Sequence, residues 1–456
     1  MVRRTSLIDI DRIRENLVSL IRIPSVTGQE DAAVSHIANW LQRFDAEIAY
    51  WNDGIASLQR DPRYPGHEVE RAWAPVVVGV LRGEQPGPSV LLTGHVDVVP
   101  PGDYDHWHDE PFSGLARGDR IFGCGASDMK AGLVAAMAVF EAFAESGRNF
   151  PGRLIFAAVP AEEDSGLGTL AAIRGGWHAD AAIIPEPTLG PEGIPQLVIA
   201  HAGAMSLRIR ITGKSAHASK RLQGESALDH FLTVYHAMRE HERALNAGET
   251  HPLMAGHRLP YATNVGTIQG GLWSSSVMDS LEAQVRVGVT LDETIQQAEA
   301  RFRSSIMAAI GDDPWLRAHP PEVHLLASGF GSAQIREDHP LVTSLAEATE
   351  EEFRQTAPIT GMPYGCDMAG WVRLAGVPTV VYGPGEIELA HAPNESVSLE
   401  ATYRVARTLV KATERLLETD VAELRLHPDG EASSAGTSGE GRDDSDCRPS
   451  DQGGDR

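Results

Sequence analysis

Four short apolar runs bounded by turn residues constrain the fold of this chain more than any other feature: VVVGVL (76–81), VLLTGHVDVV (90–99), LIFAAV (154–159) and AAIIP (181–185). A strand with one wet face alternates apolar and polar residues, whereas runs of this kind suit strands covered on both faces of a sheet. The covering helices are also readable. Ile8 to Ile21 has helical apolar spacing and stops before Pro24, Gln29 to Phe44 is amphipathic, and Lys130 to Glu145 forms a third helix. The first two hundred residues therefore read as an α/β layered domain.

After Gln196 the texture changes. SLRIRITG (206–213) and LEAQVRVGVTL (281–291) alternate, around helices at about 225–245 and 293–310, and the segment closes with VHLLAS (323–328). This β-helix-β-β-helix-β order predicts a smaller α+β domain with one solvated sheet face. VPTVVYGP (377–384) and a helix from Leu399 to Leu424 then return to the first texture. The expected organisation is a catalytic α/β domain over 1–200 and 331–426, an inserted domain over 201–330, and a disordered acidic tail over 427–456 that holds Cys447.

Lys and Arg total 39 against 63 Asp and Glu, a net charge of −24 that repels nucleic-acid phosphates and anionic membrane surfaces. The three cysteines have no CxxC spacing, which fits a reducing compartment. The arginines near the N-terminus lead into no apolar signal core, and the most apolar helical stretch, Ala131 to Ala144, is too short to cross a bilayer. A soluble cytoplasmic protein is expected.

The chemistry gathers where the apolar runs end. His95 and Asp97 close the second run, Glu162 and Glu163 follow the third, and Glu186, between Pro185 and Pro187, follows the fourth; Asp128 precedes the helix that starts near Lys130. Singly, these are also what a satisfied strand-end histidine, a helix-capping carboxylate or a solvated acidic loop looks like. Together they put His and carboxylate groups at one edge of a sheet, where α/β active sites form. Such ligands without paired Cys suit zinc, with cobalt or manganese as substitutes, and five of them with one bridging carboxylate would hold two ions. His391, in AHAPNES after VVYGPG, supplies the second histidine.

The order His-x-Asp, Gly-x-Gly-x-x-Asp-Met-Lys, Glu-Glu, Glu-Pro-Thr and a late His, at intervals of about 33, 35, 23 and 205 residues, resembles the acetylornithine deacetylase, succinyl-diaminopimelate desuccinylase and carboxypeptidase-G family of dizinc amidohydrolases. Trp107, Pro111, Phe112 and GKSAHAS (213–219) resemble it too. The resemblance implies a zinc-exopeptidase-like catalytic domain, with a mixed sheet between helices, and an inserted ferredoxin-like lid that forms a homodimer. It implies two divalent ions per chain, zinc above all: His95 and Glu186 on one, Glu163 and His391 on the other, Asp128 bridging. Asp97 would orient the His95 ring and Glu162 would be the general base. His217 would reach the partner subunit's oxyanion, and Arg286 and Asn264 would engage the substrate, Arg286 through a carboxylate. Cys124 stands where family members commonly carry Arg, so a local salt bridge is expected to be missing.

The expected activity is metal-dependent removal of an N-acyl group from a small amino-acid-like molecule. Glu at position 186 resembles the deacylase branch, whereas aminopeptidase relatives more often place Asp there. A dipeptidase or carboxypeptidase of the same fold is the alternative, and a non-catalytic binding protein is a third reading that the intact ligand set and Glu162 do not favour.

Overall fold

The computed structural model describes residues 4–291 and 293–426, so the expected tail from His427, with Cys447, lies outside the described residues. Among them, one nine-stranded mixed sheet runs Glu47–Gly54, Trp73–Arg82, Pro151–Val159, Gln85–His95, Ala181–Ile184, Thr379–Val381, Leu197–His201, Ala333–Gln334, with Ile359–Met362 also paired to Leu197–His201. The four strands from Pro151–Val159 to Thr379–Val381 are mutually parallel and form the middle of the sheet. The apolar runs are those strands or their neighbours, and both faces are covered as expected. Phe156 packs on Trp40 and Phe140 from the helices Asp31–Leu41 and Ala131–Glu145. Its neighbours Ile155 and Ala157, which point the other way, are buried as well.

The helices follow their local signals. Ile10–Ile21 starts where the Asp9 carboxylate accepts the amide of Asp11 at 2.9 Å, and it buries the stripe Ile13, Leu17, Leu20 and Ile21. The last helix is shorter than expected. It ends at Glu418, and Val421–Leu424 restarts under a new cap in which Asp420 accepts the amide of Ala422 at 2.8 Å.

A second sheet, four strands and fully antiparallel, has the order Thr263–Gly270, Ser280–Val289, Gly203–Thr212, Glu322–Phe330. With helices Ala227–Ala247 and Ile295–Ala309 it has the ferredoxin-like β-helix-β-β-helix-β connection and its own apolar cluster, which includes Leu207, Ile209, Val285 and Phe302. The two sheets meet at a seam. Tyr261, Met254 and Leu291 pack on Ala200 and Ala202, and Arg373 donates to the Leu291 carbonyl and, at 3.1 Å, to the Ser332 hydroxyl.

Candidate metal centre

The middle strands deliver the site because they are parallel and in register. His95 is the last residue of its strand and lies opposite Val159, so Glu162 and Glu163 emerge beside it. Glu186 follows Ile184 on the other side, and His391 lies beyond Thr379–Val381. Two groups of potential ligands result, His95 with Asp128 and Glu186, and Asp128 with Glu163 and His391. Asp128 belongs to both. Its Oδ1 is 3.2 Å from His95 Nε2, and its Oδ2 is 3.5 Å from His391 Nε2. Glu186 Oε1 is 3.3 Å from His95 Nε2, and Glu163 Oε2 is 2.9 Å from His391 Nε2. The two halves differ in access, for the His95 side chain is 1% exposed and that of His391 50%.

Electrostatics tests whether metal ions fit. Burial pushes Glu186 up to about 8 against the pull of His95, and burial together with the Asp128 charge raises Glu163. Burial raises Glu162 well above the usual carboxylate range, with Glu186 and Asp367 adding to the effect. Burial also opposes ionisation of Asp128, yet hydrogen bonds from His391 and His95 hold it low, and the bonds to Asp128 and Glu163 lift His391 to about 10. Four buried or nearly buried carboxylates thus face two imidazoles. Divalent cations relieve that imbalance, and a nitrogen-and-oxygen donor set with no sulfur suits zinc, cobalt or manganese.

Asp97 meets both the His95 ring and the turn that carries the two glutamates. The His95 Nδ1 bonds to the Asp97 carbonyl at 2.9 Å, with the carboxylate 3.6 Å away. That carboxylate also accepts the amides of Glu162 and Glu163, each at 3.2 Å, and the Thr27 hydroxyl at 3.1 Å. It therefore fixes the turn that carries both glutamates. Backbone strain collects nearby, since Ala161, His391 and Asn394 hold positive φ of 63°, 57° and 65° without being glycine.

Glu395 is a residue that the sequence reading passed over. Its buried carboxylate accepts the amides of Gly125, Ser127 and Asp128 at 2.8, 2.7 and 2.9 Å, and so shapes the loop that presents Asp128. A carboxylate that serves main-chain amides carries no ligand spacing, so its only signal was its place in AHAPNES. Cys124 lies buried beside this loop, where burial and the Glu395 charge push its thiol up to about 12. Three amides hold Glu395 without an arginine at position 124.

From the smaller sheet, Asn264 and Arg286 are cross-strand partners and line a cleft of about 290 Å³ together with Ser206 and Glu163. His217 is elsewhere. It is exposed at the start of the turn Ala218–Gln223, with Nδ1 bonded to the Ser219 hydroxyl at 2.9 Å, and it is not among the residues gathered at the two ligand groups. His106 and His108 belong to a loop clipped to Asn394, which accepts the His108 amide at 2.7 Å and donates to the His106 carbonyl at 3.1 Å.

Two ligand triads sharing one carboxylate at the ends of parallel strands, with a buried glutamate outside both, define a metal-dependent hydrolase of amide bonds. Comparison with known proteins gives its family: the model of peptidase family M20/M25/M40 matches residues 91–415, and the chain belongs to that family. It is 27% identical over 416 residues to the N-formyl-4-amino-5-aminomethyl-2-methylpyrimidine deformylase of Bacillus subtilis, covering 88% of this chain and 94% of that one. It is 28% identical over 389 residues to an acetylornithine deacetylase of Aliivibrio salmonicida, covering 84% and 91%. Among solved structures, a di-peptidase from Saccharomyces cerevisiae has a TM-score of 0.72 at 15% identity, over 92% of this chain and all of the other, and so shares the fold.

Proposed function

We propose that the protein is a cytoplasmic deacylase that removes an N-acyl group from a small amine-bearing molecule, with two zinc ions at the strand ends. The observation that carries this reading is the position of Glu162. Its Oε2 lies 4.0 Å from His95 Nε2, yet Glu162 belongs to neither ligand group. His95 and Glu186 would hold one ion, Glu163 and His391 the other, and Asp128 would bridge them. Two bound divalent ions supply a nucleophilic water at neutral pH and polarise the scissile carbonyl. Glu162, its carboxyl raised by burial, takes a proton from the attacking water and returns it to the departing amine nitrogen. Asp97 keeps the glutamate turn in place through two amides. Arg286 and Asn264 orient the substrate from the cleft wall.

The unit from 201 to 330 serves as lid and dimerisation module. Leu272 at 98% exposed, Leu222 at 92% and Trp273 at 72% are costly to leave in water on one small unit, which supports a homodimer through it. In that dimer His217 reaches the partner's oxyanion. No helix among the described residues is long and apolar enough to cross a membrane.

Amine release by metal-loaded protein from N-formyl, N-acetyl and N-succinyl amines and dipeptides tests the reading. Turnover of the acylated amines, about two zinc ions per chain and loss of activity to chelator are expected; full activity in metal-free protein, or turnover of dipeptides alone, overturns it. Mixing Glu162→Gln with His217→Ala chains tests the dimer. Each variant alone should be nearly inactive, whereas random heterodimers should restore up to about a quarter of wild-type activity. A monomer by sedimentation, or mixed dimers without recovery, returns His217 to the surface.

A further inference from the structure

Arg71 is a buried cation to which nothing above gives a part in the reaction. It lies in the segment between the helix Ile55–Leu58 and the strand Trp73–Arg82, and its side chain is 1% exposed. Its Nη2 is 2.9 Å from Glu30 Oε1 and its Nε is 3.9 Å from Asp164 Oδ2, and both of those carboxylates are buried. No other lysine or arginine among the described residues pairs with either of them. Asp164 directly follows Glu163, and its two oxygens accept the amides of Glu68 and Val69 at 2.5 and 3.4 Å. Glu30 in turn accepts the Gly28 amide at 2.8 Å, and the neighbouring Thr27 is the hydroxyl donor to Asp97. The segment 27–30 therefore grounds two clamps on one turn. Asp97 holds the Glu162 and Glu163 amides, and Arg71 holds the Asp164 carboxylate just beyond them.

One guanidinium thus serves two buried carboxylates from different parts of the chain. Without it, two buried negative charges would lack a cation, and the backbone that carries them would have to shift toward water. We propose that Arg71 is a positioning residue for the hydrolysis, which acts through Asp164 to fix the direction in which Glu162 and Glu163 leave their turn. This rests on the roles given to those two glutamates in the deacylase reading, and it adds a residue that belongs to neither ligand triad.

Arg71→Met keeps most of the side-chain length and removes the charge. A displacement of about 1 Å at a reacting group costs about 10²-fold, and groups behind a metal ligand contribute about 10- to 100-fold to affinity. The variant should therefore lose about 10- to 100-fold in kcat with KM within about twofold, and should bind the weaker of its two zinc ions about tenfold less tightly by competition with a chelating dye. Arg71→Lys, which restores the charge, should recover most of both losses. Asp164→Asn combined with Arg71→Met should be no worse than the poorer single variant, because both break the same link. A brace of the fold alone would lower the denaturation midpoint and leave kcat and zinc affinity at wild-type values; that result overturns the proposal, as do a rise in KM alone and additive losses in the double variant. If Arg71→Met does not fold, Asp164→Asn, which leaves the Arg71–Glu30 pair in place, carries the same measurements, and wild-type values there overturn the proposal. Turnover of no acylated amine by metal-loaded wild type overturns the deacylase reading instead, while zinc affinity still decides whether Arg71 positions Glu163.

Discussion

Pro151–Val159 and Gly203–Thr212 are strands of 9 and 10 residues, and they use their sides differently. In the first, six consecutive residues from Leu154 to Val159 are buried; in the second, Leu207, Ile209 and Ile211 are buried, while Ser206, Arg208, Arg210 and Thr212 are wholly or partly open. A sheet covered on both faces has only the ends of its strands left for chemistry, and there it gathers His95, Glu162, Glu163 and Glu186. A sheet covered on one face can work with its open face, and there Ser206, Asn264 and Arg286 stand side by side. The two sheets thus leave different places for polar side chains, strand ends in one and an open face in the other.

Three experiments press on that division. The largest effect is expected at the strand ends: Glu162→Gln should lower kcat by about 10²- to 10⁴-fold, or about 3 to 5 kcal/mol of barrier, with metal content unchanged. Metal analysis beside steady-state kinetics checks this, and lost metal would make Glu162 a ligand. Next, Phe156→Ala, within the closed sheet against Trp40 and Phe140, should destabilise the protein by about 3–5 kcal/mol, whereas Arg208→Ala on the open face should change stability by less than about 0.5 kcal/mol. Chemical denaturation compares the two, and equal losses would end the distinction between the sheets.

The third experiment addresses the seam. His201 is fully buried there; burial, with Arg373 adding to it, lowers its pKa to about 4 from an ordinary 6.5. The folded state therefore resists a proton that the unfolded chain takes up, so stability is complete above about pH 6.5 and is lost as pH falls toward 4. Between pH 7 and pH 5 this residue alone should remove roughly 2 kcal/mol. Replacing His201 with Gln should flatten the denaturation midpoint across that window, and an unchanged slope would mean that the ring is not what titrates.

The doubly covered strands, and the His and carboxylate groups that gather at their ends, were legible because burial on both faces and a polar strand edge each demand particular residue types. What escaped had looser demands. Glu47–Gly54 pairs only along one edge, so its alternating exposure left no apolar run to read. The spacing of Asp97 after His95 could not show that the strand stops at His95, so that the Asp97 main-chain carbonyl reaches the ring nitrogen while the carboxylate also holds the glutamate turn. Glu395 acts through main-chain amides that any residue supplies, so no residue pattern could announce it.

At the seam, His201 and Ala333 are direct antiparallel partners in the large sheet, and everything between them, 202–332, leaves and returns at that one point. The larger body meets this stretch as it would meet the loop of a hairpin. A short turn could take its place without moving any of the four parallel strands, and a sister segment from a relative could be grafted there by joining two neighbouring strand ends. The inserted unit is in this sense exchangeable cargo, carried at a single joint while the strand-end cluster stays in its original frame.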